Sequence, residues 1–213
     1  MKLLVEVQEN VKATINEEAD GKKNLFLEGI FMQCIPNKNK RIYPEEVMRN
    51  EVNRYVTEIV NNKRAYGELN HPQGPTINLD RVSHLIESLS IDGKNVYGRA
   101  KVLNTPAGNI VRGLIEGGAN LGVSSRGLGS LKPTKNGLME VQQDFKIITA
   151  ADCVSDPSAP DAFVQAVMEN TEWVFKNGDW VMVEQTQKQL RQMSNKQIER
   201  CKIRLFENYL KTL

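Results

Sequence analysis

Residues 81–91, RVSHLIESLSI, followed by Asp92-Gly93 and then by Asn95 to Leu103, NVYGRAKVL, form the stretch that decides the fold class. The first run places Leu85, Leu89 and Ile91 on one face, as a half-buried strand does. Asp-Gly is a strong two-residue hairpin signal, so the second run reads as the antiparallel partner. Outward from this hairpin, strand-like and helix-like segments alternate irregularly. Upstream, Ala65 to Asn70 is a short strand running into His71-Pro72. Before it, Tyr43-Pro44-Glu45-Glu46 opens a helix, with a proline in the first turn and acids at the positive end of the dipole. Its apolar face is Val47, Met48, Val52, Tyr55, Val56, Ile59 and Val60. Leu25 to Met32 reads as a buried strand, and residues 1–24 as a polar extension.

Downstream, Thr105-Pro106 starts a second helix carrying Ile110, Val111, Leu114 and Ile115, which stops at Gly117-Gly118. Leu121 to Gly127 is strand-like and rich in small residues, and residues 138–149 read as a further strand. Asp156-Pro157-Ser158-Ala159-Pro160 is a rigid loop. Trp173 to Val183 reads as a hairpin around Asn177-Gly178. From Gln185 the chain becomes amphipathic and helical. The expected organisation is an α+β protein with an extension at 1–24, a main domain at 25–184 and a helical tail at 185–213.

Composition bounds the function. The chain has 213 residues with 40% hydrophobic and 25% charged, ordinary values for a globular protein. A net charge of only +2 argues against binding nucleic acid by bulk electrostatics. The densest basic stretches, Lys22-Lys23 and Lys38-Asn39-Lys40-Arg41, read as solvated loops. Cys34, Cys153 and Cys201 are odd in number and widely spaced, which implies a reducing compartment and no disulfide framework. The opening MKLLVEVQEN has too short an apolar run for a signal peptide, and no stretch reaches transmembrane length. No ligand spacing for a metal and no phosphate-cradling loop is present, so no cofactor is expected.

A serine nucleophile needs a base, and a base titrating near neutrality is usually His. There are two histidines. His71 ends a strand at a Pro/Gly loop, and Pro72 confines its backbone to extended conformations. It reads equally as a catalytic base or as a loop histidine. His84 lies inside the alternating strand and reads as structural. Ser124 and Ser125 sit between Gly122 and Gly127, where small neighbours admit a substrate backbone. Alone, this Gly-x-Ser-Ser-x-Gly pattern reads more simply as a Gly/Ser turn. Arg126 or a nearby backbone N–H is a candidate to stabilise an oxyanion. Asp152, among small and apolar residues, is the first candidate to orient the histidine; Glu68 is the alternative. Cys153 has apolar rather than cationic neighbours and reads as a buried thiol, not a rival nucleophile.

Taken together and in order, several segments resemble the prohead core proteases of T-even-type tailed phages. They are Glu28 to Gln33, Asn39 to Pro44, Gly67 to Pro72, Asn95 to Val102, Gly122 to Ser130 and Pro157 to Ala162, spanning roughly residues 25–165. That family is similar to the herpesvirus assemblins. The resemblance implies a β-barrel core surrounded by helices. It also implies a serine endopeptidase that works inside the immature capsid in the host cytoplasm, with scaffold core and capsid proteins as substrates. By position it carries over His71 as base and Ser124 as nucleophile, with Asp152 as third member. Beside them, Arg126 and Ser125 stand as the candidate oxyanion or substrate contacts on their local chemistry. The resemblance implies cleavage after Glu with an aliphatic residue two positions earlier, and self-cleavage. Matching triplets occur at Leu4-Val5-Glu6, Ile15-Asn16-Glu17 and Leu205-Phe206-Glu207. A cationic pocket for the Glu is then required, with Arg126, Arg99 and Lys101 as candidates. Neither nucleic acid nor membrane is expected as a partner, and a homo-oligomer is. The rival reading is a non-enzymatic component of the scaffold core.

Overall fold

The computed structural model describes residues 1–8, 11–17, 23–72, 74–155, 173–176 and 179–182. They belong to two units, Met1–Asn170 and Thr171–Leu213. The first unit contains, in chain order, β1 (Lys2–Gln8), β2 (Val11–Glu17), β3 (Lys23–Gln33), β4 (Arg41–Ile42) and α1 (Glu45–Tyr55). α1 runs on as a π-helical turn, Val56–Val60, and is followed by β5 (Tyr66–Glu68) and a 3₁₀ turn at Leu79–Arg81. Then come β6 (Val82–Asp92), β7 (Asn95–Val102), α2 (Pro106–Glu116), β8 (Gly122–Gly129), β9 (Leu131–Pro133), β10 (Met139–Val141) and β11 (Lys146–Val154). The second unit shows the antiparallel pair β12 (Trp173–Lys176) and β13 (Asp179–Met182). The Asp156–Pro160 loop and the expected tail at 185–213 lie outside the described residues.

The β6–β7 hairpin forms as its turn signal predicts, with Asp92 opposite Asn95. It sits inside an antiparallel five-stranded sheet of order β2-β3-β7-β6-β5. A second antiparallel sheet has the order β1-β8-β11, and a small one the order β4-β10-β9, with β10 parallel to β4. The strand expected at 138–149 is split: Phe145 N turns back to Gln142 O at 3.1 Å, separating β10 from β11. The stretch expected as an extension contributes strands to two sheets. β1 pairs with β8 along its whole length and β2 pairs with β3.

The barrel implied by the resemblance is corrected here. The fold is α+β with two short α-helices, but among the described residues no sheet closes. The five-stranded and β1-β8-β11 sheets approach at β5 and β11, where among the described residues one isolated bridge, Leu69 to Cys153, is the only backbone pairing between them. β5 has only three residues, and after the bridge Asn70 takes a left-handed φ of 61° that carries the chain out of plane. A ladder cannot be extended past such a turn, so closure fails there.

α1 lays Val47, Met48, Val52 and Tyr55 into the main core with Leu27, Phe31, Ile86, Val96 and Ile147. Each such side chain contributes about 1.5–3 kcal/mol on burial. One polar clamp adds direction. Glu51, buried on α1, accepts from Ile147 N at 2.7 Å and from Lys146 Nζ at 3.2 Å. The start of β11 is thereby pinned to the helix. α2 is capped as its sequence predicts, with Thr105 Oγ1 accepting from Gly108 N at 3.0 Å and Pro106 in the first turn.

Candidate active site

Asp152 owes its position to an irregularity in β11. Thr149 lies opposite Arg126, yet Asp152 lies opposite Ser124, so β11 carries one more residue than β8 between these pairs. Such a bulge re-aims the side chains beyond it. Asp152 comes to share a face with its partner Ser124, and side-chain alternation puts Arg126 on that face too. Ser125 faces the other way, opposite Glu6 of β1.

His71 reaches the same face from β5. Asn70 N donates to Cys153 O at 2.8 Å, and its left-handed turn, which asparagine tolerates, redirects the chain. His71 Nδ1 then lies 2.9 Å from Asp152 Oδ2. Against an ionised carboxylate Nδ1 is the donor, which leaves the Nε2 lone pair available. Nε2 is shielded from solvent and has no hydrogen-bond partner among the described residues.

Asp152 is fully buried and accepts on both oxygens. Besides His71, Glu68 N donates to Oδ1 at 2.9 Å and Arg126 Nε to Oδ2 at 2.5 Å. Burial acts to raise its pKa. The His71 hydrogen bond and the Arg126 charge together overcome this and hold the carboxyl below its ordinary value.

Arg126 is buried, and its five N–H bonds meet five contacts. Nε and Nη2 reach Asp152, Nη2 also reaches Glu68 Oε1 at 3.1 Å, and Nη1 reaches the carbonyls of Gly74 and Thr76 at 2.9 and 3.2 Å. Its guanidinium is thus committed to holding Asp152 and the 74–76 loop. An oxyanion would have to compete for one of these donors. Glu68, weighed as an orienter, does not meet His71; it accepts from Arg126 and from Asn78 N at 2.9 Å.

Ser124 is fully buried beneath β1. Its Oγ donates to the backbone oxygen of Glu6 at 2.9 Å. The structure brings His71, Asp152 and Arg126 into direct contact and sets Ser124 across from Asp152. No hydrogen bond joins Ser124 to His71 in this arrangement.

The remaining candidates fall elsewhere. His84 is buried, donates from Nε2 to Ala151 O at 3.0 Å and accepts at Nδ1 from Ser83 Oγ at 2.9 Å. Burial lowers its pKa, against the pull of the Asp152 charge. Burial, and then the Asp152 charge, push the Cys153 thiol up to about 12. Arg99 pairs with Glu28 at 2.6 Å and Glu87 at 3.4 Å and stacks over Phe26. Lys101 stands opposite Phe26 and Leu85 in its sheet. Sequence reasoning took Glu6 only as a self-cleavage position and Arg41 as part of a solvated loop; with Tyr43 they form a buried cluster beside Ser125. The signal was the basic stretch ending at Arg41, which is buried rather than solvated.

The sequence pattern of the family described as "Prohead core protein serine protease" matches residues 3–172. The chain belongs to that family. A prohead core protein protease of Enterobacteria phage T4 is 42% identical over 146 residues, covering 67% of this chain and 69% of the relative. The solved structure of the bacteriophage T4 capsid assembly protease superposes with a TM-score of 0.70 at 35% identity, covering 73% of this chain and 98% of that one. This prohead serine protease is therefore an enzyme of capsid maturation, as its motifs implied. The non-enzymatic alternative is set aside.

Proposed function

We propose that Ser124 is the nucleophile of this protease, His71 its general base and Asp152 the residue that orients the base. The observation that carries this is the buried Asp152–His71 contact at 2.9 Å, with Ser124 facing Asp152 across the β8–β11 ladder. In the working enzyme the Ser124 hydroxyl turns from Glu6 O to His71 Nε2. As Oγ adds to the substrate carbonyl carbon, His71 takes its proton. His71 passes that proton to the leaving amine as the peptide C–N bond breaks. Water, deprotonated by His71, then releases the acyl group and restores Ser124. Asp152 stays ionised throughout, because its pKa lies below the ordinary carboxylate range.

The substrates proposed are scaffold core and capsid proteins inside the immature capsid in the host cytoplasm, cut after Glu. The enzyme's own terminal segments, such as Leu4-Val5-Glu6, are further substrates, and the protein works as a homo-oligomer. The test is to co-express Ser124→Ala, Ser125→Ala and Cys153→Ala chains with the cognate scaffold. Cleavage should vanish only in the first. Persistent cleavage by Ser124→Ala, with loss in another variant, overturns the assignment.

A further inference from the structure

His84 is a buried imidazole that no catalytic step uses, and it meets β11 at the bulge that aims Asp152. Between the pairs Thr149–Arg126 and Asp152–Ser124, Ala150 and Ala151 stand where β8 has only Ser125. An extra residue interrupts the ladder, and its buried main-chain groups need other partners. Here side chains supply them. His84 Nε2 donates to Ala151 O at 3.0 Å. Ala151 N donates to Thr149 Oγ1 at 3.3 Å, and that hydroxyl lies 3.0 Å from both Ala151 O and Tyr66 O of β5. A hydroxyl has one proton to give. With Ala151 O already served by His84, the Thr149 proton is free for Tyr66 O, which ties the bulge to β5.

β6 is shaped to deliver this imidazole. Gly67 pairs with His84 but Glu68 pairs with Val82, so Ser83 is an extra residue and makes a second bulge. Neighbours on a regular strand point to opposite faces. The bulge instead lets Ser83 Oγ reach Nδ1 of the adjacent His84 at 2.9 Å. A hydroxyl donating to Nδ1 selects the neutral tautomer with its proton on Nε2, the one that serves Ala151 O. Burial favours that neutral ring. Space is provided too. A Cβ on Gly67 would stand 2.0 Å from His84 Nε2 and 2.3 Å from Ala151 O, so ring and carbonyl meet only over a glycine. Ser83, His84, Thr149 and Ala151 are all fully buried.

This arrangement reaches the active site because side chains alternate along a strand. Losing the extra residue's place would slip β11 by one position and turn Asp152 to the opposite face, away from His71. We infer that His84, oriented by Ser83 and helped by Thr149, is a positioning residue that holds the β11 bulge and thereby holds Asp152 against His71 Nδ1. Its bearing on catalysis rests on Asp152 as the residue that orients the base.

Hydrolysis of a peptide cut after Glu and nitrogen NMR of His71 test this together. His84→Leu should lower kcat roughly 100-fold, the cost of a displacement of about 1 Å, and leave KM within about 3-fold. His84→Gln, whose amide can donate to Ala151 O, should recover kcat to within about 10-fold of the unaltered enzyme. Thr149→Val keeps the shape, should cost roughly 10-fold in kcat, and carries the test if His84→Leu does not fold. In an Asp152→Asn chain, His84→Leu should cost under about 3-fold more, because its effect runs through Asp152.

The chain has two histidines, so variants at His84 leave the ring nitrogens of His71 to be observed alone. With Ser124→Ala added to prevent self-digestion, His84→Gln should show the Nδ1–H form of His71, and His84→Leu a mixture of both tautomers. A role in stability alone moves neither the tautomer nor the double-variant coupling. The inference is overturned if folded His84→Leu or Thr149→Val keeps full kcat, or if His84→Gln recovers nothing. It is equally overturned if the loss persists undiminished over Asp152→Asn, or if His71 keeps one tautomer in both chains. If Asp152→Asn itself keeps full activity while His84→Leu still shifts the His71 tautomer, the orienting role of Asp152 fails and the positioning role of His84 stands.

Discussion

Replacing Arg126 by Met removes the cation shared by two fully buried carboxylates while roughly keeping the side-chain volume. Asp152 loses its 2.5 Å and 3.3 Å partners, and Glu68 loses its 3.1 Å partner. Breaking a buried ion pair from one side costs about 3–5 kcal/mol, because the remaining charge stays desolvated. With two carboxylates stranded at once, the upper end applies, about 5 kcal/mol. His71 and Glu68 N still serve Asp152, and Asn78 N still serves Glu68, which keeps the loss from growing further. For a folded body of this size each kcal/mol moves Tm by about 2–4 °C, so Tm should fall by about 10–20 °C. Thermal and urea unfolding at neutral pH, in chains carrying Ser124→Ala to prevent self-digestion, measure this. Adding Glu68→Gln to Arg126→Met should recover part of the loss, since one stranded charge is gone, giving a coupling of about 0.5–3 kcal/mol. A loss below about 1 kcal/mol for Arg126→Met, or strict additivity in the double variant, would refute the reasoning.

Other expectations follow from the same geometry. Asp152→Asn should lower kcat/KM by roughly 10⁴-fold, because an amide can stabilise the wrong histidine tautomer; peptide hydrolysis measures it, and a loss under tenfold contradicts the assigned role. The Asp152 pKa is depressed in the folded state, so its contribution to stability is present above the unfolded value and is lost as pH falls through the lower folded value. Acid titration of the folded chain should show that loss, and Asp152→Asn should remove that component of it. Gly67→Ala would put a Cβ 2.0 Å from His84 Nε2 and 2.3 Å from Ala151 O. Urea unfolding should show at least about 3 kcal/mol of destabilisation, the upper range for overpacking. Alkylation of the native chain at pH 8 should spare Cys34 and Cys153, whose thiols burial raises to about 11 and about 12; mass spectrometry locates any label.

Much of this enzyme was legible in short stretches. Asp92-Gly93 announced the β6–β7 hairpin, Thr105-Pro106 the start of α2, and Pro44-Glu45-Glu46 the start of α1, because turn and cap chemistry is written within a few residues. His71, Ser124 and Asp152 were candidates for the same reason: each stands beside residues that shape a local backbone. What joins them is not local. His71 meets Asp152 across 81 positions, Arg41 meets Glu6 across 35 and Ser124 meets Glu6 across 118. Which carboxylates would surround Arg126, whether the strands would close, and which face Asp152 would take depended on a β11 bulge and a left-handed Asn70. The burial of Arg41 shows the limit most plainly. In sequence it ends a basic run that reads as solvated. Its charge is buried against Glu6, which β1, folding back from the start of the chain, brings to meet it.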